Sequence, residues 1–153
     1  GSRAAIWTAL EGAVDVIGIT YYPMDSSFNV ESPEAVIEDL ATLVTKFTKP
    51  IYMQEVGYQT STVNSSSEAK QAEFFCNFFK AWDTHKDKIP NASLVRLVDY
   101  SAQTAQDSAT LYGISDNSFI EYLRTLGLYN HSGAGTAKQA YTIIKKETEK
   151  RNF

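Results

Sequence analysis

Apolar residues along this chain fall either into short runs or into stripes spaced by three and four, and the two patterns alternate. Val14 to Pro23 is β-branched and aromatic, too short for a typical helix and closed by proline, which predicts a buried strand. Ser32 then precedes Pro33, and Val36, Ile37, Leu40, Leu43, Val44 and Phe47 repeat with the spacing of one helix face. Pro50 to Gln54 predicts a second strand, followed by a polar loop from Glu55 to Asn64. Ser65 and Glu68 form a capping box that opens a helix with Ala72, Phe75, Cys76, Phe79 and Trp82 inside and Lys70, Glu73, Asn77 and Lys80 facing water.

Leu94 to Tyr100 predicts a third strand, and Ser101 to Asn117 a long loop of the kind that compact domains usually keep for function. Phe119 to Leu126 reads as a short helix stopped by Gly127. Thr136 begins a terminal helix that places Ala137, Ala140, Tyr141 and Ile144 on one face, and Arg3 to Leu10 is the end of an earlier helix. Strands that alternate with helices imply a parallel sheet with crossover connections, hence an α/β fold in a single domain spanning 1–153. The apolar strands predict cover on both faces of the sheet. Helices from successive crossovers in one direction supply only one, so the other should face the inside of a barrel or a partner.

Composition narrows the chemistry. With 43% hydrophobic and 21% charged residues the chain is globular, and a net charge of -4 with a pI near 5.2 and no basic stripe argues against nucleic acid as a partner. The mixed-sign run Lys145 to Arg151 reads as the solvated face of the last helix. Cys76 is the only cysteine, which excludes an internal disulfide, and His85 and His131 lack ligand spacing, so neither metal nor cofactor is expected. No run approaches the roughly 20 apolar residues of a membrane span. Gly1-Ser2 looks like a cloning scar, and Asn64, Asn91 and Asn130 begin glycosylation acceptor triplets.

The segment Lys49-Pro50-Ile51-Tyr52-Met53-Gln54-Glu55-Val56-Gly57 carries a carboxylate to the end of a strand, where α/β enzymes place their reacting groups. Glu55 is therefore the candidate catalytic residue. The alternative is a strand-end glutamate that caps a helix or pairs with a surface lysine.

Asp15 to Pro23 resembles the sixth strand, and Lys49 to Gly57 the seventh, of the retaining (β/α)8-barrel glycoside hydrolases of clan A, cellulase-like or β-1,4-galactanase-like. Tyr122 to Tyr129 and Lys138-Gln139-Ala140 are similar to the closing helix region of those families. The resemblance implies a partial TIM barrel holding strands six to eight, an oligo- or polysaccharide substrate, and Glu55 as the nucleophile. It also implies that Tyr21 or Tyr22 bonds the Glu55 carboxylate and that Tyr58, Gln59, Asp99 and Tyr100 contact sugar. Secretion follows only if the chain is like the family.

Two departures stand out. The clan's acid/base belongs to an Asn-Glu pair, and none of the seven asparagines here precedes a glutamate; the eighth-strand segment ends in Asp99-Tyr100 without a nearby tryptophan. A full barrel also takes roughly 250 residues. The expectation is a carboxyl-terminal fragment of a retaining β-glycosidase, inactive or nearly so alone, whose open sheet edges are completed by the missing barrel half or by self-association. A non-catalytic carbohydrate-binding or interaction module is the alternative. A small doubly wound regulator would need helices on both sheet faces and lacks a glycine-rich phosphate loop.

Overall fold

The computed structural model describes residues 3–131 and 135–152. Gly1-Ser2 and Ser132, the last residue of the Asn130 acceptor triplet, lie outside the described residues. In chain order the elements are α1 (Arg3–Gly12), β1 (Ile17–Tyr21), α2 (Ala35–Lys46), β2 (Ile51–Val56), α3 (Glu68–His85), β3 (Asn91–Leu94), α4 (Ala102–Leu111), α5 (Asn117–Arg124) and α6 (Gln139–Lys150). The three strands form one parallel sheet in the order β1-β2-β3.

One face of this sheet is the core. Ile17, Ile19, Tyr21, Ile51 and Met53 pack with Val36 and Leu40 of α2, Phe74, Phe75, Phe78 and Phe79 of α3, and Ala140 and Ile144 of α6. The other face does not match the expectation of cover on both sides: Gly18, Thr20, Tyr52, Gln54, Asn91 and Ser93 are exposed. Small and polar residues at alternate positions explain this, a period of two that the apolar Val14 and Val16, which lie before β1, obscure in the sequence.

The pairing of β1 with β2 contains a β-bulge. Ile19 lies opposite Met53 and Thr20 opposite Glu55, so Gln54 is an extra residue on β2, and the β2–β3 ladder likewise has one extra β2 residue between Met53 and Val56. Strict alternation after Met53 would turn Glu55 to the helices and Val56 to solvent. With the bulge, Gln54 and Glu55 are both exposed and Val56 returns to the core. Gly18 makes room for this, because a Cβ there would lie 2.8 Å from Cδ of Gln54.

The third strand is shorter and earlier than the apolar run predicts. β3 spans Asn91–Leu94, and after Val95 N donates to Val56 O at 3.1 Å the backbone leaves the sheet. Leu97 O then accepts from Leu128 N and Asp99 N donates to Tyr129 O, both at 2.9 Å, while Leu97 and Val98 remain exposed. Gly127 permits the approach: a Cβ would sit 2.3 Å from Asp99 N.

Other boundaries move for local reasons. Ser67, not Ser65, caps α3 by accepting from Lys70 N, since Ser65 takes a left-handed conformation (φ 60) that closes a 3-10 turn at Thr62–Asn64. α2 begins at Ala35, after Ser32 hydrogen-bonds the Glu34 carboxylate, and leaves Ile37 exposed. α3 packs between α2 and α6, so it buries a wider arc than one stripe: Asn77 is inside, donating to Pro33 O, and Cys76 is only half-buried. α6 starts at Gln139 because Lys138 precedes it in extended conformation. Asn64, fully buried, is no accessible glycan acceptor in this fold.

The stretch expected to be a long loop folds into α4, capped by Ser101, whose hydroxyl accepts from Thr104 N at 3.0 Å. With α5 it builds a second core of Ala105, Ala109, Phe119, Tyr122, Leu123 and Leu126, against which Tyr22, Phe28, Val95 and Tyr100 pack. This core lies at the carboxyl end of the strands. At the flanks of the sheet are two recesses, an apolar one of about 120 Å³ between Phe78, Trp82, Ala92 and Leu94, and a mixed one of about 290 Å³ where Ile19, Leu40 and Leu43 are joined by Asp39, Thr42 and Lys46.

Gly127→Ala should destabilise the fold by about 2 kcal/mol or more, since backbone and not a movable side chain stands in the way. Urea denaturation checks this; an unchanged midpoint would refute the close approach.

Candidate active site

Glu55, the penultimate residue of β2, lies on the open face, and one residue beyond β1 the Tyr22 hydroxyl donates to Glu55 Oε2 at 2.6 Å. Tyr22 reaches this position by passing over Gly57, where a Cβ would come within 2.6 Å of its ring. Its ring meets that of Tyr122 edge-on at 5.6 Å, and Tyr122 in turn stacks on Phe28, which adopts φ 65 in the loop after β1. A rigid aromatic group on α5 therefore fixes the donor that holds the carboxylate.

Arg96 stands two residues past β3. Its guanidinium lies 3.3 Å above the centre of the Tyr100 ring, and Nη1 donates to Leu123 O at the end of α5 at 2.7 Å. Burial raises the pKa of both Tyr22 and Tyr122 above the ordinary phenol value. The hydrogen bond to Glu55 raises Tyr22 further and the Glu55 charge raises Tyr122, while the charge of Arg96 opposes both shifts. Two protonated phenols thus feel both an anion and a cation, a polar cluster able to hold a hydroxyl-rich ligand and to present a carboxylate oxygen to it.

The remaining sequence-derived candidates are placed elsewhere. Tyr21 turns to the helix side and donates to Asp39 Oδ2 at 2.6 Å, so of the two tyrosines it is Tyr22 that bonds Glu55. Tyr58, 2% exposed, donates to Glu31 O and stacks on Phe74. Gln59 is equally buried, donating to Phe28 O and accepting from Asn64. Asp99 forms a buried ion pair with Lys138 at 2.8 Å and accepts from Gly127 N at 2.7 Å, while Lys138 also donates to Thr60 Oγ1 and Thr125 O. Burial pushes Asp99 up and Lys138 down, and their mutual attraction opposes each shift. Tyr100 joins the cluster through Arg96.

Sequence reasoning missed Arg96 and Tyr122. Arg96 carried a signal, a lone cation inside the apolar run Leu94 to Val98; Tyr122 carried none beyond its place in a helix. Among the described residues no group of His, Cys, Asp and Glu side chains is arranged to hold a metal ion.

No family model matches the chain. A search of the curated proteins finds no match either. Solved structures do share its fold. A β-glucuronidase from an uncultured Clostridium species superposes with a TM-score of 0.55 at 18% identity over 88% of this chain, and the β-D-glucuronidase of Dictyoglomus thermophilum with 0.57 at 17% identity over 89%. The chain spans 23% of the length of each of these structures. The architecture is α/β, three neighbouring parallel strands of a TIM barrel with their helices.

Asp99→Ala should cost about 3–5 kcal/mol because it leaves Lys138 charged and unpaired where its side chain has no exposure; adding Lys138→Met should recover much of that loss. Chemical denaturation of both variants checks the pair, and a Lys138→Met addition without recovery would contradict it. The raised tyrosines set a second expectation. In the unfolded chain they ionise near pH 10, whereas Tyr21, Tyr22, Tyr58 and Tyr122 hold their protons in the fold, so their contribution is complete below about pH 10 and is lost above it. Tyrosinate absorbance should show these four ionising last, and uniform titration of all nine tyrosines would refute their burial.

Proposed function

We propose that this chain is the nucleophile-bearing part of a retaining β-glycoside hydrolase. The observation that carries the reading is Glu55, exposed at the carboxyl end of β2 with one carboxylate oxygen held by Tyr22 at 2.6 Å. Oε1 is the oxygen that attacks the anomeric carbon, while the Tyr22 hydroxyl keeps its proton, donates it to Oε2 as a hydrogen bond and so fixes the angle of approach. The neighbouring structures, both named as β-glucuronidases, support a glycosidase reading over other barrel chemistries.

The same mechanism needs a second carboxyl group, roughly 5 Å from the first, as acid and then base. Asp99 is engaged by Lys138 and Glu121 by Arg124, so neither is free for that role. The partner carboxyl comes from strands beyond these three, and the two recesses beside the open sheet edges, one apolar and one of mixed lining, are where those strands and their helices would pack. Self-association in their absence follows from the same exposed edges. A clan A assignment remains the family-level form of this proposal, and the linkage and the remaining sugar contacts belong to loops of the completed barrel.

A carbohydrate-binding role without catalysis is favoured by the single carboxylate of the Glu55 cluster. One substitution separates the two readings. With the completing strands supplied, Glu55→Gln should lower hydrolysis of a 4-nitrophenyl β-glycoside by about a thousandfold or more while sugar binding persists. Equal turnover in the variant would sink the catalytic role, and sugar binding without turnover in either protein would favour the binding module.

A further inference from the structure

The described arginines differ in how their charge is met. Arg124 is bonded through Nε and Nη2 to both oxygens of Glu121, and Arg151 is bonded to Asp83 and Glu147. Arg96 has no carboxylate within salt-bridge distance among the described residues. Its partners are the face of Tyr100 and the carbonyl of Leu123, which account for one ring contact and one of five N–H donors.

Those two contacts also immobilise it. Stacking on Tyr100 sets the plane of the guanidinium, and the Leu123 bond sets its rotation within that plane, so the cost of ordering a long side chain is already met before any ligand arrives. The group is half-buried, which weakens screening by solvent, and it acts on the same two phenols, Tyr22 and Tyr122, that Glu55 acts on. Val95 N donates to Val56 O at 3.1 Å, which brings the backbone before Arg96 to the strand end that carries Glu55, and Leu123, which Arg96 bonds, follows the Tyr122 whose ring meets Tyr22; a planar cation with spare donors is thereby fixed at the aromatic group that holds the carboxylate.

Resting on the glycosidase reading of Glu55, we propose that Arg96 is a specificity residue that binds the carboxylate of an acidic sugar, so that the substrate is a uronic acid glycoside. A planar fork suits a sugar carboxylate, which can accept two parallel N–H bonds, whereas the hydroxymethyl group of a neutral hexose offers one oxygen and no charge. Arg96 also offsets the repulsion that Glu55 would exert on an anionic sugar.

The test is an NMR titration of the isotope-labelled chain with methyl β-D-glucuronide, methyl β-D-glucoside and sodium acetate, read at the Arg96 Nε–H signal and at the amides of Tyr22 and Glu55. The glucuronide should bind at least about tenfold more tightly than the glucoside, a difference of about 1.4 kcal/mol. Arg96→Gln should reduce that preference to less than about twofold with the rest of the spectrum unchanged, and Arg96→Lys should restore it only in part. Equal binding of the two glycosides near Glu55 would overturn the uronate assignment and leave the role of Glu55 intact. Acetate binding as tightly as the glucuronide would overturn it too, by reducing the site to a simple anion trap. Failure of every sugar to shift Tyr22, Glu55 or Arg96 would overturn both readings. If Arg96→Gln does not fold, the two glycosides on the unaltered chain decide the matter.

Discussion

One extra residue in β2 governs the site. The bulge at Gln54 resets the alternation of the strand so that a carboxylate and an aliphatic side chain exchange faces: Glu55 goes to the open side and Val56 to the core. An ionised carboxylate turned into the Phe74–Phe78 core would have no partner there, a cost far above that of the bulge. Gly18 on the neighbouring strand is part of the same arrangement, since the Gln54 side chain lies over it and would have to move aside for a Cβ there.

Two cores then divide the labour. The first lies under the sheet and joins α2, α3 and α6 to the strands; α6 is further tied to α3 by Arg151, whose Nε donates to Asp83 Oδ1 at 2.7 Å. The second lies at the carboxyl ends of the strands and belongs to the α4–α5 pair. The buried ion pair of Asp99 and Lys138 connects them, because Lys138 opens α6 while its ammonium reaches Thr125 at the end of α5 and Thr60 in the loop after β2. Replacing one member of such a pair is costly even where the pair itself contributes little. Tyr22 and Arg96 are both held by this second core, Tyr22 through the ring of Tyr122 and Arg96 through Tyr100 and the Leu123 carbonyl.

Much of this was legible from the chain because it rests on local rules. Proline at 23, the period-four stripe of α2 and the apolar run ending in Glu55 located two strands, one helix and the central residue without tertiary information. What could not be read depended on partners remote in sequence. The apolar run 94–98 has the same composition whether it pairs with β2 or turns toward 127–129, and the second path depends on residues remote in sequence, the absent Cβ at Gly127 among them. Tyr21 and Tyr22 are adjacent and identical; the register of β1 against β2 determines which meets Glu55. Asp99 read as a sugar contact because its partner, Lys138, lies 39 residues away.

The most direct measurement is covalent trapping with a 2-deoxy-2-fluoro glycoside bearing a dinitrophenyl leaving group, which departs without a proton and so does not need the second carboxyl group. Trypsin should release a peptide spanning residues 47–70, because Lys49 precedes proline, and that peptide should carry the mass of one fluorosugar on Glu55. Label on another residue, or equal labelling of a Glu55→Gln chain, would contradict the assignment of Glu55 as the nucleophile.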